Sequence, residues 1–155
     1  MIIKKIAINF STSFGIGYFT RFPGTVASFM TLFPIWLIKE YFSTQILITI
    51  ILIYSLLALI FAKIVISDKK DKDPRYIVAD EHIGQAISLL YCNQKISDYL
   101  IAFIIFRFFD IVKPFPVNIF DNIKNSYGIL LDDIVAGLLT FLIFFIYYYE
   151  FKFIS

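Results

Sequence analysis

The chain has 155 residues, of which 59% are hydrophobic, with a mean hydropathy of +0.80 and a formal charge of only +2. That length gives room for one domain, 1–155, and the apolar share lies well above the roughly 45–50% of a soluble globular domain, which points to a membrane. One cysteine (Cys92) excludes an internal disulfide, one histidine (His82) excludes multi-histidine metal sites and argues against a Ser-His-Asp triad, and the small net charge gives no basic stripe for nucleic acid.

The chain opens Met-Ile-Ile-Lys-Lys, and its first apolar run is broken by Asn9 and Ser11-Thr-Ser13. This does not fit a secretory signal, so the mature chain is expected to start at Met1. Gly15 to Thr25 carries three glycines, Arg21 and two threonines. No Gly-Lys-Ser/Thr follows, so it is not a P-loop. It is either a tight turn or an anion cradle made by backbone amides and Arg21 near a helix N-terminus. Pro23-Gly-Thr25 reads as a turn with Thr25 as N-cap. Thr25 to Ile38 is apolar, short and interrupted by Pro34, so a kinked span or half-span is expected, pairing with the next span across Lys39–Gln45.

Ile46 to Ile66 is the clearest span, 21 residues with only Lys63 charged. At 1.5 Å per residue it reaches roughly 31 Å, the thickness of a hydrocarbon core, and Lys63 can snorkel. The polar stretch Ser67 to Glu81 follows, with Lys69, Lys70, Lys72 and Arg75. The positive-inside rule puts it, with Lys4-Lys5, in the cytoplasm, and the 39–45 link outside. The C-terminus would also lie outside if 83–112 makes no net crossing. Asp71-Lys-Asp73 looks like a paired-aspartate phosphatase motif, but no buried strand precedes it, so it reads as solvated loop. Cys92 has no arginine six residues on and reads as inert packing. Asp98 to Val112 is a helix with Asp98 as N-cap, ended by Pro114 and Pro116. Arg107 and Asp110 make it either a buried helix or a short span whose last turn meets water. Ile134 to Tyr149 is the second clear span, closed by an aromatic belt at Tyr147-Tyr-Tyr149. The apolar runs are continuous rather than alternating, which excludes a barrel. An all-α, multi-helix integral membrane protein is expected, with short helices and cytoplasmic-side loops forming the site.

The acidic residues are the informative ones. Asp80-Glu81 either cap and favour a helix start or hold Mg²⁺, a hard cation that takes one or two carboxylates. Asp132-Asp133 sit at the mouth of the last span, where charge is costly, on the order of 2.5–3.5 kcal/mol at a bilayer centre. They are either an N-cap pair or ligands of a cation that relieves their repulsion. Gly84 lies four residues after Asp80 and Gly137 four after Asp133, so another helix can approach below each carboxylate. Arg107, Asp110 and Lys113 share one helix stripe. They form either a structural ion pair or a phosphate grip, with a bidentate guanidinium, a point charge, and Asp110 as orienter or further ligand. His82 reads as a neighbour of this site rather than a ligand.

Four blocks carry a family resemblance: Gly15-Ile-Gly-Tyr-Phe-Thr-Arg-Phe-Pro-Gly-Thr-Val-Ala-Ser28, Asp73-Pro-Arg-Tyr-Ile-Val-Ala-Asp-Glu-His-Ile-Gly84, Phe106-Arg-Phe-Phe-Asp-Ile-Val-Lys-Pro-Phe-Pro116 and Gly128-Ile-Leu-Leu-Asp-Asp-Ile-Val-Ala-Gly137. In them the chain resembles the phosphatidylglycerophosphatase A family of bacterial membrane phosphatases. The resemblance implies Mg²⁺-dependent hydrolysis of phosphatidylglycerophosphate to phosphatidylglycerol and inorganic phosphate. It implies a multi-pass protein of the bacterial inner membrane, its site on the cytoplasmic face, its substrate drawn from the bilayer, and no obligate protein partner. Departures from the family pattern are Thr20, Phe22, Ala27 and His82.

On this reading Asp80, Glu81, Asp132 and Asp133 hold the metal. Asp80, Glu81, Asp110 and Asp133 are catalytic, and Arg107, Lys113, Arg21 and Thr25 contact phosphate. A different headgroup is one alternative, for another metal-dependent lipid phosphatase or phosphotransferase. A small transporter subunit is the other; it would place charges near the middle of its spans, whereas 46–66 and 134–149 are clean at their centres.

Overall fold

The computed structural model describes residues 2–19, 21–67 and 74–154. Thr20, Lys69, Lys70 and the Asp71-Lys-Asp73 motif lie outside the described residues. Among those described there are eight helices and no strand: α1 (Ile2–Ser11), α2 (Ile16–Phe19), α3 (Pro23–Tyr41), α4 (Thr44–Ile66), α5 (Ala79–Ser88), α6 (Ile96–Val112), α7 (Val117–Asp121) and α8 (Ser126–Ile154). The all-α expectation holds. Two helices, Thr44–Ile66 and Ser126–Glu150, are long and apolar enough to cross a bilayer. α4 turns Leu52, Ile53, Leu56 and Ile60 outward, an apolar face with no protein against it, as lipid-facing helices have.

The two long helices run antiparallel. Leu47 and Ile51, early in α4, share a packed cluster with Phe144 and Tyr148, late in α8, whereas Val65 and Ile66 pack with Ile129. α1 lies against α4 in the reverse direction. Its Phe10 meets the rings of Tyr54 and Phe61, and its Ala7 and Ile8 pack with Ala62 and Val65. Lys4 and Lys5 therefore sit at the end where α4 finishes and α8 begins.

Several helix starts differ from expectation, each for a local reason. α3 begins at Pro23, whose fixed φ and missing amide suit the first helical position, so Thr25 lies inside the first turn and is no N-cap. α3 also continues through Pro34 to Tyr41, 19 residues rather than a half-span. Its end is held by Lys39, whose Nζ donates to the Leu89 and Cys92 carbonyls at 2.9 and 2.5 Å. α6 begins at Ile96, so Asp98 sits in its first turn rather than capping it, and accepts from Ser97 and Tyr148. α6 is neither fully buried nor a simple span. Tyr99, Ala102 and Phe106 pack inward while Leu100, Ile101, Ile104 and Phe108 face outward.

α8 begins eight residues before Ile134, with Asn125 as its cap: the Asn125 side-chain oxygen accepts the amides of Tyr127 and Gly128 at 2.8 and 3.2 Å. Asp132 and Asp133 thus lie in the second turn of a continuous helix, and the capping alternative for them fails. Asp80 is likewise not a cap, since that position is Val78.

Candidate active site

The site is built on a contact between two helix backbones. A Cβ added at Gly84 would lie 2.5 Å from the Asp133 carbonyl oxygen and 2.5 Å from the Phe106 ring. One added at Gly137 would run into the Gly84 carbonyl. The two glycines singled out by their spacing therefore face each other where α5 crosses α8, and the crossing brings the first turn of α5 onto the second turn of α8. Asp80, Glu81 and Asp133 each offer an oxygen there, all within 4.8 Å of one another. Gly24 lets α3 close the group from a third side, since a Cβ there would overlap the Glu81 carboxylate and lie 3.2 Å from Arg107 Nη1.

These carboxylates have little to satisfy them. Asp80 Oδ1, Glu81 Oε2, Asp132 Oδ1 and Asp133 Oδ1 are buried without a hydrogen-bond partner among the described residues. Asp133 is only 3% exposed. Burial, reinforced by Glu81 beside it, holds the Asp80 carboxyl well above the usual carboxylate range. Burial also pushes Glu81 up to about 7; the nearby Asp110 charge adds to this, and a hydrogen bond with Asp80 works against it. Anionic oxygens packed without donors call for a cation, and hard carboxylate oxygens suit Mg²⁺. The residues present fit the metal that the resemblance implies.

All nine residues expected at the site line one cavity of about 410 Å³: Arg21, Thr25, Asp80, Glu81, Arg107, Asp110, Lys113, Asp132 and Asp133. Within it they divide. Asp132 is turned from the cluster of three, its Oδ2 accepting Lys113 Nζ at 2.7 Å. Lys113 also bonds Asp121, and although burial opposes its charge, the hydrogen bonds to both aspartates hold its pKa above the ordinary lysine range. Lys113 is not on the α6 stripe; it is the left-handed C-cap residue, φ 48°, reaching across to α7 and α8. Arg107 pairs with Asp110, and its Nη1 lies 3.4 Å from Ser28 Oγ. The Arg107 Nε is buried and has no acceptor among the described residues.

His82, next in sequence to Glu81, faces away from this cavity. It bonds Ser13 Oγ at 2.5 Å and Thr31 Oγ1 at 2.6 Å, on the wall of a second, apolar cavity of about 450 Å³ between α3, α4 and α5. It belongs to the wall of that second cavity and is no ligand of the carboxylate cluster. Burial pulls its pKa down to about 4, so it stays neutral. Three residues of the site escaped the sequence reading: Arg75 on the cavity wall, Ser28 against Arg107, and Asp121 against Lys113. Arg75 stands five residues before Asp80 and was legible only as loop charge. Nothing in the linear order marks Asp121.

An all-helical protein with two helices long and apolar enough to cross a membrane, and with carboxylates and guanidinium groups around one cavity, has a site suited to a phosphate-bearing ligand. Comparison with known proteins gives the particular family: residues 9–148 match the family described as Phosphatidylglycerophosphatase A, and the chain belongs to it. A Bacteroides thetaiotaomicron protein, provisionally named a phosphatidylinositol-3-phosphatase, is 34% identical over 149 residues, 89% of this chain and 91% of its own. Phosphatidylglycerophosphatase A of Escherichia coli is 30% identical over 132 residues, covering 84% and 76% of the two chains, and that of Haemophilus influenzae is 29% identical over 150 residues, 92% of each. No solved structure matches the chain. The protein is an enzyme, a lipid phosphatase.

Proposed function

We propose that the chain is a single-domain, Mg²⁺-dependent phosphatidylglycerophosphatase. It removes the terminal phosphate of phosphatidylglycerophosphate to leave phosphatidylglycerol and inorganic phosphate, at the cytoplasmic face of a bacterial inner membrane that it crosses more than once. The observation that carries this is the meeting of the Asp80, Glu81 and Asp133 oxygens within 4.8 Å, from helices far apart in the chain. Those three would hold Mg²⁺, with Asp132 beside them. When bound there, the cation supplies charge neutralisation for the phosphoryl group and makes a nucleophilic water available at neutral pH.

The protein's own groups do the rest. Arg107 has a free Nε–H for a phosphate oxygen, and its pairing with Asp110 fixes the plane of the guanidinium. Lys113 adds positive charge from the far wall, and Thr25 presents a hydroxyl. A carboxylate of the site, or the cation, would take the proton of the attacking water as the bond from phosphorus to the glycerol oxygen breaks, and Asp110, held by Arg107, is one candidate. That oxygen leaves with a proton, so phosphatidylglycerol and inorganic phosphate balance the reaction. Positioning and charge stabilisation supply most of the catalysis in phosphoryl transfer, which this set of residues can deliver. The site end also carries Lys4, Lys5, Lys63, Arg75 and Lys124, and that excess favours the cytoplasmic side.

The provisional name of the Bacteroides relative supports a second reading, a lipid phosphomonoesterase acting on an inositol headgroup. Phosphate release by the purified protein from phosphatidylglycerophosphate, phosphatidylinositol 3-phosphate and phosphatidic acid separates the two. Fastest release from the first is expected. Faster turnover of the inositol lipid transfers the function to the second reading, and no release from any of them ends both.

A further inference from the structure

We infer that Arg21 and Arg75 form a second anion subsite at the mouth of the cavity, which holds the phosphodiester of a lipid bearing two phosphates and so selects the substrate. The inference rests on the phosphatase reading above and assigns Arg21 to the diester rather than to the terminal phosphate. The cations deeper in the cavity are already matched: Arg107 pairs with Asp110, and Lys113 with Asp121 and Asp132. Arg21 and Arg75 line the same cavity, are exposed, and have no hydrogen bond or ion pair among the described residues. They come from separate segments of the chain, Arg21 two residues before Pro23 and Arg75 directly after Pro74, and both prolines line the cavity wall.

The chemistry of the headgroup supplies the matching ligand. A phosphomonoester seated against the buried carboxylate cluster leaves the rest of the lipid trailing through the mouth. The next anion along it is the phosphodiester, on the far side of the glycerol linker. Guanidinium groups grip phosphate oxygens bidentately, so two free arginines at that exit fit a diester better than a point charge would. Phosphatidic acid has no second phosphate and gains nothing from them. The competing explanation is general attraction of exposed arginines to any anionic lipid surface, which acts on all such lipids alike.

The test uses the full chain in neutral detergent micelles with Mg²⁺, comparing wild type with the R21Q/R75Q double variant. The KM for phosphatidylglycerophosphate and the inhibition constant of phosphatidic acid as competitor are measured together. The KM is expected to rise about tenfold with kcat held within about threefold, the signature of lost binding rather than lost chemistry. The phosphatidic acid constant is expected to stay within about twofold, and R21K/R75K to recover only part of the KM. An unchanged KM overturns the inference. So does a parallel rise in the KM and the phosphatidic acid constant, which would show general anionic attraction, or a fall in kcat matching the loss in kcat/KM. A wild-type protein that releases phosphate from none of these lipids overturns the phosphatase reading, and the subsite with it; the other failures leave that reading standing.

Discussion

Asp133 is buried in α8 with one oxygen unpartnered and with Asp80 and Glu81 close by. An uncompensated buried charge costs several kcal/mol, so on the proposed reading the metal-free protein carries a strain that a bound divalent cation would remove. If Asp133 holds the proposed cation, Asp133→Asn should lower phosphate release by about a thousandfold or more, because the cation would lose a ligand at the reacting centre. The same variant, free of metal, should melt higher than metal-free wild type, and Mg²⁺ should no longer raise its melting temperature. Wild-type turnover by Asp133→Asn would remove the residue from the site.

The pH dependence follows from Glu81 and Asp80, whose carboxyls burial raises, Glu81 to about 7. A folded-state pKa above the unfolded one stabilises the fold at low pH, and that contribution fades as pH climbs through about 7. Metal-free protein should therefore lose melting temperature between about pH 4.5 and 7, and added Mg²⁺ should restore most at the upper end, because the ligands must be deprotonated to bind. Melting curves with chelator and with Mg²⁺ across that range check it; a metal-free protein that gains stability would contradict it. The acidic pairs were legible from adjacency alone, because neighbouring anions beside hydrocarbon need a reason. The division between Asp133 in the cluster and Asp132 on Lys113 was not, because it depends on the left-handed turn at Lys113 and the return of α7.

At the scale of elements, the α5–α8 crossing holds the site together. Gly137→Val places methyl groups where the Gly84 backbone lies, and overpacking of this kind costs roughly 1–3 kcal/mol. It should also weaken Mg²⁺ more than the loss of stability accounts for, because the crossing sets the distance from Asp133 to Asp80 and Glu81. Mg²⁺ titrations followed by melting temperature measure this, and unaltered affinity in a destabilised Gly137→Val protein would separate the crossing from the site. The glycine spacing foreshadowed this contact. Helix centres were legible too: the 46–66 span is Thr44–Ile66 with two residues added. Helix ends were less so. Thr25, Asp98 and Asp132-Asp133 all have the chemistry of caps, but Pro23, Lys95 and Asn125 mark those starts, settled by how the preceding loops pack.

For the whole molecule, antiparallel α4 and α8 place the cavity at one end of the two long apolar helices, the end that also carries Lys4, Lys5 and Lys63. A cysteine at Lys124, exposed near the start of α8, should react with a membrane-impermeant maleimide only in inverted vesicles. Cys92 will not confuse the result, because burial pushes its thiol up to about 12. Labelling of intact cells at Lys124→Cys would put the site on the outer face. The number of crossings was not legible from hydropathy, because α3 and α6 are apolar outward and polar toward the cavity. The central claim, that three inward-facing carboxylates hold the divalent cation needed for phosphate release, is tested most directly by stripping the purified protein with chelator and adding Mg²⁺ back. Release from phosphatidylglycerophosphate should vanish in chelator and return with saturable dependence on Mg²⁺; undiminished release in chelator would contradict the account.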